Sequence, residues 1–135
     1  LPENTKDIEE LRSISKAPLY GLEMFKALSK AKIGFNCHGE GAGGYAANVR
    51  LFEVPGVGSC LVTDWKKNLH QLFEIDAEVV AYKTAEECVE KVRWLLNHPK
   101  ECAEISQKGQ ARTLRDHTYA LRAEKLNSII LENLK

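Results

Sequence analysis

The sequence has no surplus of either charge: 19 basic and 19 acidic residues leave a formal net charge of zero over 135 residues. A protein that grips nucleic acid by its phosphates needs a basic excess, so no nucleic-acid partner is expected. A local anion site is still compatible with that balance, because backbone amides at a helix start bind phosphate unaided. Long apolar runs are missing as well. None approaches the roughly 20 residues of a bilayer-spanning helix, and no basic-then-apolar leader opens the chain. A cytoplasmic protein without a transmembrane segment is therefore expected. Leu1 is not an initiator methionine, which suggests an excised piece of something longer.

Cysteine is sparse and scattered. Cys37, Cys60, Cys88 and Cys102 form no Cys-x-x-Cys pair, and no Cys/His group has the spacing of zinc ligands, so no metal site is expected. Cys37 and Cys60 lie in apolar runs and read as buried free thiols of a reducing compartment. What the chain does contain is ordinary for a globular protein: 44% hydrophobic and 28% charged residues, enough for one hydrophobic core.

Apolar spacing predicts the elements. A short helical pattern runs through Ile8, Leu11 and Ile14, with Asn4 or Thr5 as cap and Pro18 as stop. A second helix, Leu19–Ala31, carries Leu22, Phe25 and Leu28. Lys32–Cys37 then reads as a strand buried on both faces. Helical periodicity resumes at Ala46 and should stop at Pro55, which lacks a donor. Ser59–Thr63 and Glu78–Tyr82 are two further strands, with a short helix near Asn68–Phe73 between them. Thr84 and Glu87 form a capping-box pattern opening a helix through Leu96. Pro99 starts the next helix at its tolerated position, and Thr118 caps the last, which carries Leu121, Leu126, Ile129, Ile130 and Leu134. Strands alternating with helices imply right-handed crossovers and a parallel α/β sheet flanked by helices, followed by a helical C-terminal segment.

In such a sheet, ligands sit beyond the carboxyl ends of the strands. The first strand ends in His38-Gly-Glu-Gly-Ala-Gly-Gly-Tyr45, which holds four of the nine glycines and runs into a helix. Glycines let backbone amides approach a ligand, and a helix start adds partial positive charge, so the loop suits a diphosphate. It lacks the lysine of a P-loop and the spacing of a dinucleotide fingerprint; a plain connection is the competing reading. Further on, Glu53 stands among Leu51, Phe52 and Val54, where a carboxylate needs a reason. Two hydrogen bonds from a ribose diol would supply one. Arg50, one turn earlier, can pair with Glu53 or contact a diphosphate. His117 and Tyr119 read as packing groups at the last helix entrance, Trp94 as core, Trp65 as a loop aromatic and Asp64 as a turn cap.

These pieces carry a resemblance. Gly21-Leu-Glu-Met-Phe-Lys-Ala-Leu28, Asn48-Val-Arg-Leu-Phe-Glu53, Gly58-Ser-Cys-Leu-Val-Thr-Asp64 and Asn68-Leu-His-Gln-Leu-Phe73 come in order, with Glu86-Glu-Cys-Val, Trp94-Leu-Leu-Asn-His-Pro99 and Arg115-Asp-His-Thr-Tyr119 behind them. Together they resemble the C-terminal domain of GT-B glycosyltransferases, closest to the group-one or spore-maturation-like subgroup. The resemblance implies a Rossmann-like three-layer domain, residues 1–17 being a lead-in and 18–135 the core, that is one half of a two-domain enzyme. Its partner would be an N-terminal acceptor domain absent from this chain. It implies a UDP- or GDP-linked sugar donor as substrate, with no cofactor and no metal. Glu53 would grip the ribose. Gly43, Gly44 and Tyr45 would face the diphosphate and sugar, with Asn48, Arg50 and His38 as polar neighbours, and Gly58 would lie beneath the nucleotide. No residue is assigned as catalytic. Many retaining members carry a second glutamate eight positions earlier; here that position is Tyr45, and the nearest upstream acid is Glu40, which leaves sugar contact and stereochemistry open. The alternative class is a non-catalytic α/β binding or signalling module. A receiver-like domain, however, needs an acidic cluster at its first strand ends, and Cys37-His38 supplies none.

Overall fold

In the computed structural model, which describes residues 9–134, three strands form one parallel sheet in the order β1-β2-β3. They are β1 (Ile33–Asn36), β2 (Cys60–Asp64) and β3 (Val80–Tyr82). β1 and β3 lie within the apolar runs that predict them, and β2 runs one residue past its own, to Asp64. The register sets Asn36 beside Thr63 and Asp64 beside Tyr82, so all three carboxyl ends emerge on one edge. Helices α1 (Glu9–Ile14) and α2 (Gly21–Lys30) precede the sheet. Helices α3 (Arg50–Gly56) and α4 (Leu69–Leu72) make the two crossovers, and α5 (Ala85–Asn97), α6 (Pro99–Asp116) and α7 (Tyr119–Asn133) follow. The result is the Rossmann-like α/β arrangement expected. The proposed α1 caps, Asn4 and Thr5, lie outside the described residues.

Strand alternation sorts the core into two layers. Leu61 faces α3 and α4, where Leu51, Val54, Leu69 and Phe73 are wholly buried with it. Cys60 and Val62 face the opposite way, toward Leu95 of α5 and Cys102 of α6. A fully buried Leu or Phe contributes about 1.5–3 kcal/mol, so these few residues supply much of the stability. Helix α6 ties the layers together by passing under the amino ends of the strands. Ser106 Oγ donates to the Gly58 carbonyl at 2.6 Å and Gln110 Nε2 to that of Gly56 at 3.2 Å. At Gly109 the helix meets the backbone carbonyl of Glu78, where a Cβ would collide with the oxygen. The predicted caps hold: Thr84 Oγ1 accepts from Glu87 N at 3.2 Å, Thr118 Oγ1 from Leu121 N at 3.4 Å, and Pro99 is the first residue of α6. Glu87 returns its carboxylate to Lys83 N (2.8 Å), one residue before the cap position of the usual box.

Several expectations need correction. Strand β1 is not buried on both faces: it is an edge strand, and Phe35 is 57% exposed, stacked on Tyr82. The helix expected from Ala46 begins at Arg50, because both backbone groups of Ala46 are held by Asn68, whose Oδ1 accepts from its N–H at 2.7 Å while Nδ2 donates to its carbonyl at 3.0 Å. Pro55 lies inside the last turn of α3 and the helix ends one residue later. Its ring is buried there against α6, contact that offsets one missing hydrogen bond. Trp94 is half exposed and stacks on His98 with centroids 4.3 Å apart, so it is no core residue. Tyr119 is 82% exposed, so it is no packing group of the helix entrance. The apolar residues of α7 are exposed throughout. Of the thiols, Cys60 and Cys102 are buried but Cys37 is exposed.

Candidate functional site

The carboxyl edge of the sheet is built from two loops. The one after β1 makes a single 3-10 turn at Glu40–Ala42 and then passes through Gly43 and Gly44 with φ of +58° and +87°, a left-handed path that a side chain would strain. The one after β2 reads Asp64-Trp65-Lys66-Lys67. They are tied where Lys67 N donates to the Gly44 carbonyl at 3.1 Å, and the Lys67 ammonium sits 6.0 Å from the centre of the Tyr45 ring. Trp65 is partly exposed, with Lys83 Nζ 5.4 Å above it.

Between the loops lies a three-residue charge network. His38 Nδ1 is 2.7 Å from Asp64 Oδ1, which also accepts from the His38 backbone N–H at 3.1 Å. Lys66 Nζ is 2.9 Å from the other carboxylate oxygen. Burial pushes the Asp64 carboxyl upward, but the hydrogen bonds from His38 and Lys66 outweigh it and hold the group below its ordinary range. An ionised carboxylate only accepts, so Nδ1 carries a hydrogen. The imidazole side chain is 1% exposed, and its other nitrogen, Nε2, is shielded from solvent with no partner.

Behind His38, Asn36 and Asn48 exchange amide hydrogen bonds of 3.2 and 2.8 Å. Asn36 Nδ2 also donates to Thr63 Oγ1 at 3.1 Å, and its carbonyl accepts from the Tyr82 hydroxyl at 3.4 Å. Burial raises the Tyr82 phenol well above its usual range, so it stays a donor at neutral pH. Asn48 Oδ1 further accepts from Leu51 N at 3.3 Å, capping the first turn of α3. Its amide is thus engaged on both atoms. Asn48 positions the loop and the start of α3 rather than offering a free group.

Glu53 and Arg50 form the ion pair their spacing allows, Nη1 to Oε2 at 3.2 Å. It is an electrostatic contact without hydrogen-bond alignment: both atoms are shielded from solvent and neither has a well-oriented partner. Glu53 borders a groove of about 660 Å³ whose walls include Phe25, Phe52, His117 and Tyr119. Arg122 closes one side, its guanidinium 4.3 Å above the Phe52 ring. His117 packs between Phe52 and Phe73 and donates from Nε2 to the Leu72 carbonyl at 2.9 Å, a packing role as expected. A second, shallower cavity of about 300 Å³ lies under the glycine loop and is lined by His38, Gly39, Gly41, Ala42, Ala47 and Asn48. Ala47 lines both, so the two adjoin.

The structure therefore gathers His38 and Asn48 at one cavity and Glu53 at the next, with Arg50 paired to Glu53 and Gly43, Gly44 and Tyr45 in the covering loop. It does not bring Gly58 to them. Gly58 precedes β2 at the opposite edge of the sheet, with φ +83° and Gln110 against it, and it serves the turn and α6. Missing from the sequence reading were Lys66 and Lys67, and the pairing of Asp64 with His38. The signal was there: the rule that ligands lie beyond the carboxyl ends of strands applies to the loop after β2 as much as to the glycine loop. Among the described residues no group of three or more His, Cys, Asp or Glu side chains is placed to hold a metal ion, and no helix is long and apolar enough to cross a membrane.

No curated protein matches the chain. A family model does: the one described as glycosyl transferase-like matches residues 6–128, from before α1 into α7 and across all three strands. The ordered motifs from Gly21 to Tyr119 and the Rossmann-like sheet agree with that match. The chain belongs to the glycosyl transferase-like family.

Proposed function

We propose that this chain is the donor-binding, C-terminal half of a two-domain GT-B glycosyltransferase of the group-one or spore-maturation-like kind. In this reading a UDP- or GDP-linked sugar lies along the carboxyl edge of the sheet. Its diphosphate occupies the cavity under the glycine loop, between Gly43, Gly44 and Tyr45 on one side and His38 on the other. Its ribose reaches Glu53 at the mouth of the neighbouring groove. The observation that carries the proposal is the state of Glu53 Oε2: shielded, unpaired in hydrogen-bond terms, and beside a groove that shares Ala47 with the loop cavity. The oxygen has an ion pair with Arg50 but no aligned hydrogen bond, a deficit that ribose hydroxyls would relieve. Arg50 holds Glu53 in place and adds positive charge, while Asn48 acts through the backbone it fixes.

The acceptor half and its base would belong to an N-terminal domain outside this chain, so the chain alone binds donor nucleotide without transferring sugar. No metal or other cofactor enters this reading, because basic side chains and loop amides would neutralise the diphosphate. The test is calorimetry of UDP and GDP on the 135-residue chain. Weak binding of one of them, reduced at least tenfold by Glu53→Ala, is expected. Absence of heat at millimolar nucleotide, or full affinity in Glu53→Ala, overturns the donor-site reading; sugar transfer by the chain alone overturns the claim of an inactive half.

A further inference from the structure

We propose that the open edge of β1 pairs with the same edge of a second copy of this chain, joining two sheets into one across a twofold axis. The proposal goes beyond the donor-site reading and does not depend on it. It starts from how differently the two edge strands, β1 and β3, are finished. In the β2–β3 ladder Trp65 N donates to the Tyr82 carbonyl at 2.7 Å. By the alternation of a parallel pair, Val79 and Ala81 then present their carbonyls outward. Both are answered from within the chain: Val79 by the Asp76 N–H at 2.7 Å, and Ala81 by the Lys91 ammonium at 2.6 Å. Asp76 and Glu87 hold that ammonium in place, each at 3.2 Å. A charged plug of this kind closes a sheet edge to further strands.

At β1 the corresponding groups are left unanswered. Cys60 N donates to the Lys32 carbonyl at 3.1 Å, and His38 N to Asp64 at 3.1 Å. The even-numbered residues therefore face β2, and the N–H and C=O of Ile33, Phe35 and Cys37 point away from it. Among the described residues none of those outward groups has a hydrogen-bond partner. The stretch reads Ile33-Gly-Phe-Asn-Cys37, with no charge and no proline to guard the edge. Phe35 adds an exposed ring, stacked on Tyr82 with centroids 5.7 Å apart. Such an edge is a template for another strand, and this one is complementary to itself. A twofold axis normal to the sheet brings two β1 strands together antiparallel with their faces matched. Centred on Phe35, the axis lets every outward residue pair: Phe35 with its own counterpart, Ile33 with Cys37 and Cys37 with Ile33. Residues opposite each other share a face, so the two exposed rings meet and extend the Tyr82 stack across the junction. With β3 plugged on the far side of each copy, association stops at two.

Sedimentation equilibrium and amide hydrogen exchange on the full chain, over a range of concentrations, test this. The mass should rise from the 15.2 kDa of one chain toward twice that, with no larger species. As it does, the Ile33 and Phe35 amides should gain on the order of tenfold or more in protection. Phe35→Lys puts a charge on the edge and should stay monomeric where the unaltered chain is dimeric. Its fold should persist by amide spectra, because the side chain it replaces is exposed. Ile33→Cys reads the register. Under the thiol oxidant diamide it should link to Cys37 of the second copy and give a covalent dimer, since opposed residues lie within disulfide reach. The unaltered chain should not cross-link, because its two Cys37 residues stand far apart along the paired strands. A chain that stays monomeric at millimolar concentration, a Phe35→Lys variant that still dimerises, or a dimer with unprotected Ile33 and Phe35 amides overturns the proposal. UDP calorimetry on Phe35→Lys keeps the two readings apart. Nucleotide affinity should match that of the unaltered chain, and loss of either the dimer or the nucleotide binding leaves the other claim standing.

Discussion

The two edges of the sheet both rely on glycine, to opposite ends. At the amino edge, Gly109 of α6 is pressed against the Glu78 carbonyl and Gly34 of β1 against the Val54 side chain; a Cβ on either would overlap its neighbour. At the carboxyl edge, Gly39, Gly41 and Gly43 have nothing within 4 Å of where a Cβ would stand. The first kind of glycine is kept because other atoms fill the space, and the second leaves its space empty. Packing explains Gly34 and Gly109. At the carboxyl edge the emptiness coincides with a His38 nitrogen that has no hydrogen bond and with an Arg50–Glu53 pair in contact but not aligned as one. The difference between the edges is the physical argument for where a ligand belongs.

Breaking the tight edge should have the largest effect. Gly109→Val places two methyl groups and a Cβ against a backbone carbonyl that belongs to the strand entry and cannot rotate away. Overpacking of this kind costs about 1–3 kcal/mol, more where backbone must shift, and β-branching adds a little in a helix. We expect a loss of at least 3 kcal/mol, read from the urea midpoint. A stability within about 1 kcal/mol of wild type would mean that α6 does not clasp the sheet as described.

That clasp marks the limit of what the sequence discloses. Local signals were readable: three apolar runs became strands, Thr84 and Thr118 became caps, and Pro99 opened a helix, because each depends on residues within one turn. Pairings across the sheet were not. His38 meets Asp64 over 26 residues because the register that joins β1 to β2 sets the two strand ends side by side, and Asn36 meets Asn48 over 12 because the loop after β1 returns to it. The same holds for Ala46, where helical spacing is real but Asn68, from the other loop, takes the backbone groups a helix would need. Exposure was misjudged for a related reason. Phe35 and Trp94 have apolar neighbours in sequence, but β1 is an edge strand and Trp94 lies on an exposed side of α5. Glu53 and Arg50 were legible as a candidate because their anomaly is local: a charged pair in an apolar stretch.

A smaller effect sharpens the carboxyl edge from the side of electrostatics. The Asp64 carboxyl is held below its ordinary value: burial raises it, and the hydrogen bonds from His38 and Lys66 more than compensate. A depressed folded-state value means that its contribution is fully present above the unfolded value, near 3.9, and is lost as pH falls through the folded one. Urea unfolding followed from about pH 5 to about pH 2 should therefore show a loss of stability that Asp64→Asn reduces, since the amide has no proton to take up. Parallel curves for the two proteins would show that the His38–Asp64–Lys66 network is not formed in solution.

The smallest expected change is the most telling about the open edge. Gly41 lies in the 3-10 turn with an ordinary negative φ and clear space around its missing Cβ. Alanine fits there without strain and restricts the unfolded chain, so Gly41→Ala should be neutral or stabilising by about 0.4–1 kcal/mol. The methyl group would nevertheless stand in the wall of the cavity that His38 and Ala47 share. If a diphosphate fills that cavity, binding should weaken severalfold in calorimetry while the urea midpoint holds or rises. Stability kept with affinity lost is the mark of a glycine retained for a ligand. Stability and affinity both kept would make this stretch a plain connection, and the contrast between the two edges would reduce to tight packing at one and none at the other.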